Sequence, residues 1–143
     1  TGPASTAEYP APAGGGFRRA VACAEEARLL ADGLPQVARG VLIAAALLHE
    51  AGKADDFRLS ADGSGLILSE RGRWIGYRQT LLEWLAVART EVIVPDGLYH
   101  RLAHILLATH RASELPPTIE AAILNVARNL ADGLKSNHAD RWR

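Results

Sequence analysis

His49 and Glu50 stand side by side at the end of an apolar stretch, Gly40 to Leu48, and are followed closely by Gly52 and Lys53. An imidazole beside a carboxylate is a donor pair suited to a hard or borderline divalent ion. Lys53 offers a positive charge for a phosphate, or a salt bridge to Glu50, Asp55 or Asp56. Asp55 and Asp56 themselves suit either outer-shell carboxylates of a metal site or, more commonly, loop caps. His-Glu pairs arise by chance on many helices, so the pair specifies little by itself. The apolar run before it and the Gly-Lys after it give it weight.

Other residues carry weaker signals. His100 and His104 are four apart, a spacing that places two imidazoles on one helix face as a metal pair would need. The commoner outcome is one half-exposed surface histidine and one at the edge of the core. Arg71, Arg73 and Arg78 beside Trp74 form a small basic group, read either as a nucleic-acid contact or as a solvated loop. Trp74, Trp84 and Tyr77 read as core or groove-lining residues before they read as platforms for stacked bases. His138 reads as a solvated residue of the tail, and Cys23, among helical apolar positions, as a buried inert thiol.

The elements that must position these groups are helices. At 143 residues the chain is the length of one domain, and a composition rich in Ala and Leu with 6% aromatic residues favours helix over strand. Sixteen basic residues balance sixteen acidic ones, so no global field draws the protein to nucleic acid or membrane. A single cysteine fits a reducing, cytoplasmic setting. No apolar run approaches the roughly 20 residues needed to span a bilayer. The absence of Met, even at position 1, suggests a domain of a larger parent protein.

Prolines and the Gly14-Gly15-Gly16 run mark residues 1–16 as a leader or linker. Helical spacing then runs from Phe17 to Ala31 through Phe17, Val21, Ala24, Ala27 and Leu29 or Leu30. A second helix is expected over Pro35 to Ala51, apolar around most of its circumference and therefore central. Residues 55–73 read as an irregular loop with at most one short hairpin, because Asp62-Gly63-Ser64-Gly65 and Glu70-Arg71-Gly72 are turn signals. Helices follow over Trp74 to Ala88 and Asp96 to Thr109, the latter with Leu98, Leu102, Ile105 and Leu106 inward. The last helix runs from Pro116-Pro117-Thr118 to about Lys135 through Ile119, Ile123, Val126 and Leu130, with Glu120 in the first turn where the helix dipole favours a carboxylate. Residues 17–136 thus form an all-α bundle of five or six helices, and 137–143 a C-terminal tail.

His49-Glu50-Ala51-Gly52-Lys53 resembles the His-Asp-x-Gly-Lys signature of HD domains, a superfamily of metal-dependent phosphohydrolases. Gly72-Arg73-Trp74-Ile75-Gly76-Tyr77 is similar to the Gly-Arg-Leu-x-Gly-His segment of one branch, the YhaM-type bacterial 3′-to-5′ exoribonucleases. Thr109-His110-Arg111-Ala112, with Pro116-Pro117 and Glu120-Ala121 after it, resembles their Ser-His-His-Gly…Pro…Glu-Ala segment. Ile123 to Gly133 resembles their last helix, with Asn129-Leu130 keeping its central pair, and Gly14-Gly15 resembles the Gly-Gly before their first. HD-type domains of some conjugative relaxases are similar too. The resemblance runs from about Gly14 to Asp132 and implies an HD-like helical fold. In that pattern the Gly permits a tight helix exit, and the Lys supplies charge for a phosphate.

Measured against the same resemblance, the family's ligands are depleted. Its first-helix His falls on Arg19, its Asp on Glu50, the His of Gly-His on Tyr77, the second His of His-His on Arg111, and the last-helix Asp on Arg128. His49 and His110 alone keep the ligand type, with Glu50 a longer substitute. A guanidinium has no lone pair to offer a metal and repels one, whereas a buried Glu50 needs a counter-charge. The expectation is a degenerate HD module in which Arg19 or Arg128 stands in for the metal, with Lys53 and Arg128 engaging phosphate or carboxylate. Such a module needs no cofactor and acts as a binding or scaffold domain, its partners being other domains of the parent protein, a nucleotide or nucleic acid, but no membrane. The alternative is an active phosphohydrolase of nucleotides or RNA 3′ ends. There His49, Glu50 and His110 would hold one divalent ion (Mn, Mg, Fe or Zn), and Arg19, Arg111, Arg128 and Lys53 would clamp the phosphate.

Overall fold

The computed structural model of the protein describes residues 15–109, 114–115 and 117–140, with side chains within 16–133. The chain is all-α: the described residues form six α-helices, one 3-10 turn and one two-stranded hairpin. They divide into two compact units, one built from Phe17–Leu48 and the chain from Val94 onward, the other from His49–Ile93. None of the described helices is long and apolar enough to cross a membrane.

The first unit contains α1 (Gly15–Ala31), α2 (Arg39–Leu48), α5 (Asp96–Ala108) and α6 (Ile119–Asp140). Helix α1 buries Ala20, Cys23, Ala24, Ala27 and Ala31, a stripe of small residues at intervals of three and four. Cys23 is accordingly a buried free thiol. Phe17, expected in the apolar stripe, is 73% exposed, and of the alternatives Leu29 and Leu30 it is Leu30 that is half-buried while Leu29 is 55% exposed. Side-chain size, not apolarity alone, selects the face of α1 that is buried.

Helix α2 packs on both α5 and α6, and α5 on α6. Leu42, Ala45 and Ala46 of α2, Ile105, Leu106 and Ala108 of α5, and Ile123, Leu124 and Ala127 of α6 are buried. Leu42 and Leu124 have no exposure at all, and each such side chain contributes about 1.5–3 kcal/mol by leaving water. Leu98, Val126 and Leu130, expected to face inward, are 44%, 47% and 41% exposed. Both helices carry more large apolar residues than the contact faces can cover.

Helix α2 starts four residues later than Pro35 and stops at Leu48 instead of Ala51. Residues 34–37 form turns instead, with Leu34 N–H donating to Ala31 O and Val37 N–H to Leu34 O. The first intrahelical bond runs from Leu42 N–H to Ala38 O at 3.0 Å. Ala38 has no side-chain oxygen with which to cap a helix. Glu120 supplies one from α6: its Oε1 accepts the Ala38 N–H at 3.0 Å. Glu120 is therefore placed at the starts of two helices, its own and α2. Thr118 caps α6, its hydroxyl accepting the Ala121 N–H at 3.3 Å.

The second unit begins with a 3-10 turn, Ala51–Asp55, followed by strands β1 (Phe57–Leu59) and β2 (Leu66–Leu68) and helices α3 (Glu70–Trp74) and α4 (Tyr77–Glu91). The strands pair antiparallel, Phe57 opposite Leu68 and Leu59 opposite Leu66, as the turn signals imply. The connecting loop is closed by Asp62, whose Oδ1 accepts from the Ser60 and Ser64 hydroxyls at 2.7 Å each. These bonds favour the ionised carboxylate and lower its pKa from 3.8 to about 2.

The helix expected from Trp74 to Ala88 runs from Tyr77 to Glu91, and a separate short helix, Glu70–Trp74, stands where the irregular loop over 55–73 was expected to end. Gly76, at φ +88°, takes a backbone conformation that suits glycine and breaks the helical run. Ser69 caps α3 through the Gly72 N–H at 2.9 Å. Arg71 ties α3 to α4, donating to the Thr80 hydroxyl at 2.7 Å and pairing with Glu83. The last helix, expected to end near Lys135, continues to Asp140.

Replacing Glu120 tests the shared cap. Glu120→Ala should lower stability by about 0.5–2 kcal/mol, read as a shift in the urea midpoint. Glu120→Gln keeps an acceptor oxygen and should retain most of that stability.

Candidate functional site

Helix α2 gives way at Leu48 to a turn at His49-Glu50 and then to the 3-10 turn. Lys53 N–H donates to Glu50 O at 3.0 Å, and Asp56 N–H to Lys53 O at 3.1 Å. In 3-10 geometry residues three apart eclipse one another, so Glu50 and Lys53 stand directly in line. Lys53 Nζ lies 3.0 Å from Glu50 Oε1. The Glu50 carboxylate is thus engaged by the ammonium of Lys53, one of the partners that the sequence leaves open for this lysine. His49 is buried, 3% exposed, and its Nε2 is 3.9 Å from Glu50 Oε1.

Two glycines hold this turn in place. A Cβ on Gly52 would fall 2.0 Å from the backbone oxygen of Tyr77, and one on Gly72 would fall 2.4 Å from the backbone oxygen of Asp56. Gly52 is therefore required less for a tight helix exit than for the approach of the α4 backbone. Ser69 closes the same junction, its N–H donating to Asp56 O at 2.7 Å and its hydroxyl to Asp55 O at 2.5 Å. The capping side chain here is Ser69. Asp55 and Asp56 contribute backbone carbonyls to the junction.

Tyr77, the first residue of α4, carries two cations over its ring: Lys53 Nζ at 5.0 Å and Arg78 at 5.3 Å from the centroid. Arg73 lies 5.1 Å from the Trp74 ring. The three arginines noted in the sequence are thus occupied separately, Arg71 by Thr80 and Glu83, Arg73 by Trp74, and Arg78 by Tyr77. Trp74 and Trp84 are 70% and 40% exposed, which removes the core alternative of the two expected for them. The turn between α3 and α4 places Trp74 outward.

Asp56 is the residue whose importance the sequence conceals. It is 5% exposed, and its Oδ1 is buried with no hydrogen-bond partner among the described residues. Burial raises its pKa from the usual 3.8, against the hydrogen bond from the Tyr77 backbone and the charges of Lys53 and Arg71. Only the Lys-Ala-Asp-Asp spacing, which sets Asp56 three residues after Lys53, hints that this carboxylate turns inward.

Of the remaining site residues, Arg19 is half-buried on α1. Arg128 on α6 donates from Nη1 to the Thr109 backbone oxygen at 3.5 Å, at the end of α5 where the helix dipole favours a cation. Both belong to the other unit. His110 and Arg111 lie outside the described residues, as does the side chain of His138. Among the described residues no group of three His, Cys, Asp or Glu side chains is placed to hold a metal ion. Of the ligands that the HD resemblance implies, His49 and Glu50 lie in this turn with Glu50 paired to Lys53, and His110 lies outside the described residues. His100 and His104 do share one face of α5, where with Arg101 they line a pocket.

No family model, no curated protein and no solved structure matches the chain.

Two measurements check the site's construction. Gly52→Ala should cost about 1–3 kcal/mol or more, since the added methyl meets backbone and not a flexible side chain. Asp56→Asn should alter the pH dependence. A raised folded-state pKa means stability that is full below pH 3.8 and lost as pH rises through the folded pKa. The variant cannot ionise, so it should gain on the wild type as pH rises and lose that advantage below pH 3.8, followed by denaturant titration.

Proposed function

We propose that the chain is an HD-like module without metal-dependent hydrolysis, acting as a binding or scaffold domain of a larger protein. The observation that carries this reading is the contact of 3.0 Å between Lys53 Nζ and Glu50 Oε1. An ammonium there supplies the counter-charge that a metal would bring and leaves the carboxylate poor as a ligand. In this reading Lys53, three residues from the carboxylate it neutralises, is a substitute cation beside the Arg19 and Arg128 that the resemblance puts at ligand positions. The other positions that the resemblance assigns to ligands carry Arg19, Tyr77, Arg111 and Arg128. None of the three guanidiniums can coordinate a cation.

Metal analysis of the purified full chain, with a phosphodiesterase screen in manganese, tests the proposal. The expected result is no stoichiometric metal and no turnover. A metal held at full occupancy, with turnover abolished by His49→Ala, would overturn it. The pair itself is testable separately: Lys53→Ala leaves a half-buried Glu50 without this partner and should cost about 1–3 kcal/mol. Adding Glu50→Gln should restore most of the loss in a double-mutant cycle.

A further inference from the structure

The unit formed by α1, α2, α5 and α6 contains a pocket of about 410 Å³, within the range that encloses small ligands. Its polar lining comes from Gln36 before α2, His100, Arg101 and His104 on α5, and Thr118 and Glu120 at the start of α6. Val41 and Ile105 supply apolar wall. At the two helix starts Glu120 accepts from the Ala38 N–H and Thr118 from the Ala121 N–H. The polar groups considered for a ligand are the side chains.

Those side chains divide into two kinds. Arg101 makes no hydrogen bond or ion pair with any described residue, and His100 meets only the edge of the Tyr99 ring, with centroids 6.0 Å apart. With His104, Gln36 and the Thr118 hydroxyl, they form a set dominated by donors, and a guanidinium is the group best matched to phosphate. Glu120 is the exception. One of its oxygens caps α2, and the other has no hydrogen-bond partner among the described residues. A carboxylate oxygen beside a cationic donor set disfavours a bare anion but accepts well from a hydroxyl.

We propose that this pocket binds a sugar phosphate, free or as part of a nucleotide. Arg101 and His100 take the phosphate, Glu120 accepts from a sugar hydroxyl, and Val41 and Ile105 cover the apolar remainder. The site is separate from Glu50 and Lys53 and stands whether or not that pair has replaced a metal.

Calorimetric titration of the full chain with glucose 6-phosphate, AMP and inorganic phosphate tests it. Saturable binding of glucose 6-phosphate or AMP, with inorganic phosphate weaker, is expected, and the tighter of the two organic probes identifies the source. Arg101 is exposed, so Arg101→Ala should leave the circular dichroism spectrum unchanged while weakening that binding at least about tenfold. Glu120→Gln retains an acceptor for Ala38. It should weaken the sugar phosphate and leave inorganic phosphate equal or tighter. Absence of saturable binding by either organic probe, inorganic phosphate binding as tightly as they do, or indifference to Arg101→Ala would each overturn the proposal.

Discussion

Backbone laid directly on glycine is the contact on which the His49–Ile93 unit depends. The carbonyl of Tyr77 occupies the space where Gly52 lacks a side chain, and the carbonyl of Asp56 does the same at Gly72. These two approaches join the 3-10 turn to α4 and to α3. They also fix the turn's geometry, because an α-helical continuation past Glu50 would carry Gly52 and Lys53 elsewhere around the axis. With the turn held, Lys53 falls in line with Glu50 and at the same time over the face of Tyr77. The ion pair and the cation–π contact are consequences of close backbone packing. Interactions of that kind are short in sequence and strict in sterics, so they tolerate almost no change at the two glycines.

The other unit solves a different problem with a different device. Its α1 stripe is alanine and cysteine, and small residues allow close approach of neighbouring backbones while each buries little area. Stability then depends on a few large buried groups, Leu42 and Leu124 among them, and on satisfying the helix ends. Glu120 meets the second need for α2, which is preceded by an alanine without a capping oxygen. That arrangement commits one carboxylate oxygen to structure and leaves the other at the edge of a pocket. A residue whose first turn position serves its own helix thus becomes a joint between helices and part of a polar cavity.

Much of the architecture was legible in the residues. The helix-rich composition, the hairpin signalled by Asp62-Gly63-Ser64-Gly65, the helix from Asp96 and the one after Pro117 follow from local chemistry, and local chemistry acts whatever the tertiary context. The misreadings were of another kind. Pro35 reads as a helix start, yet turns through Val37 delay the helix to Arg39. A helix reads as starting at Trp74, yet Gly76 at positive φ delays it to Tyr77, and Glu70-Arg71-Gly72 reads as a turn yet opens the short helix that ends at Trp74. Phe17 reads as one of the apolar positions of α1, yet it is exposed, because apolarity by itself does not say which face has neighbours. At the site, the partnership of Lys53 with Glu50 was among the options that spacing allowed. The burial of Asp56 was not, since it depends on Gly72, sixteen positions away.

The charges of the His49–Ile93 unit show why a lysine at position 53 has consequences beyond its own pair. Lys53 acts on three groups: it neutralises Glu50 at hydrogen-bond distance, lies over the Tyr77 ring, and lowers the pKa of Asp56 against the effect of burial. Losing the ammonium would leave Asp56 more costly to ionise and the Tyr77 ring with Arg78 alone of its two cations. The cost of replacing Lys53 is therefore shared among three interactions rather than one. Coupling of that sort gives Gly52, which positions Lys53 against Tyr77, a role in the electrostatics as well as in the packing.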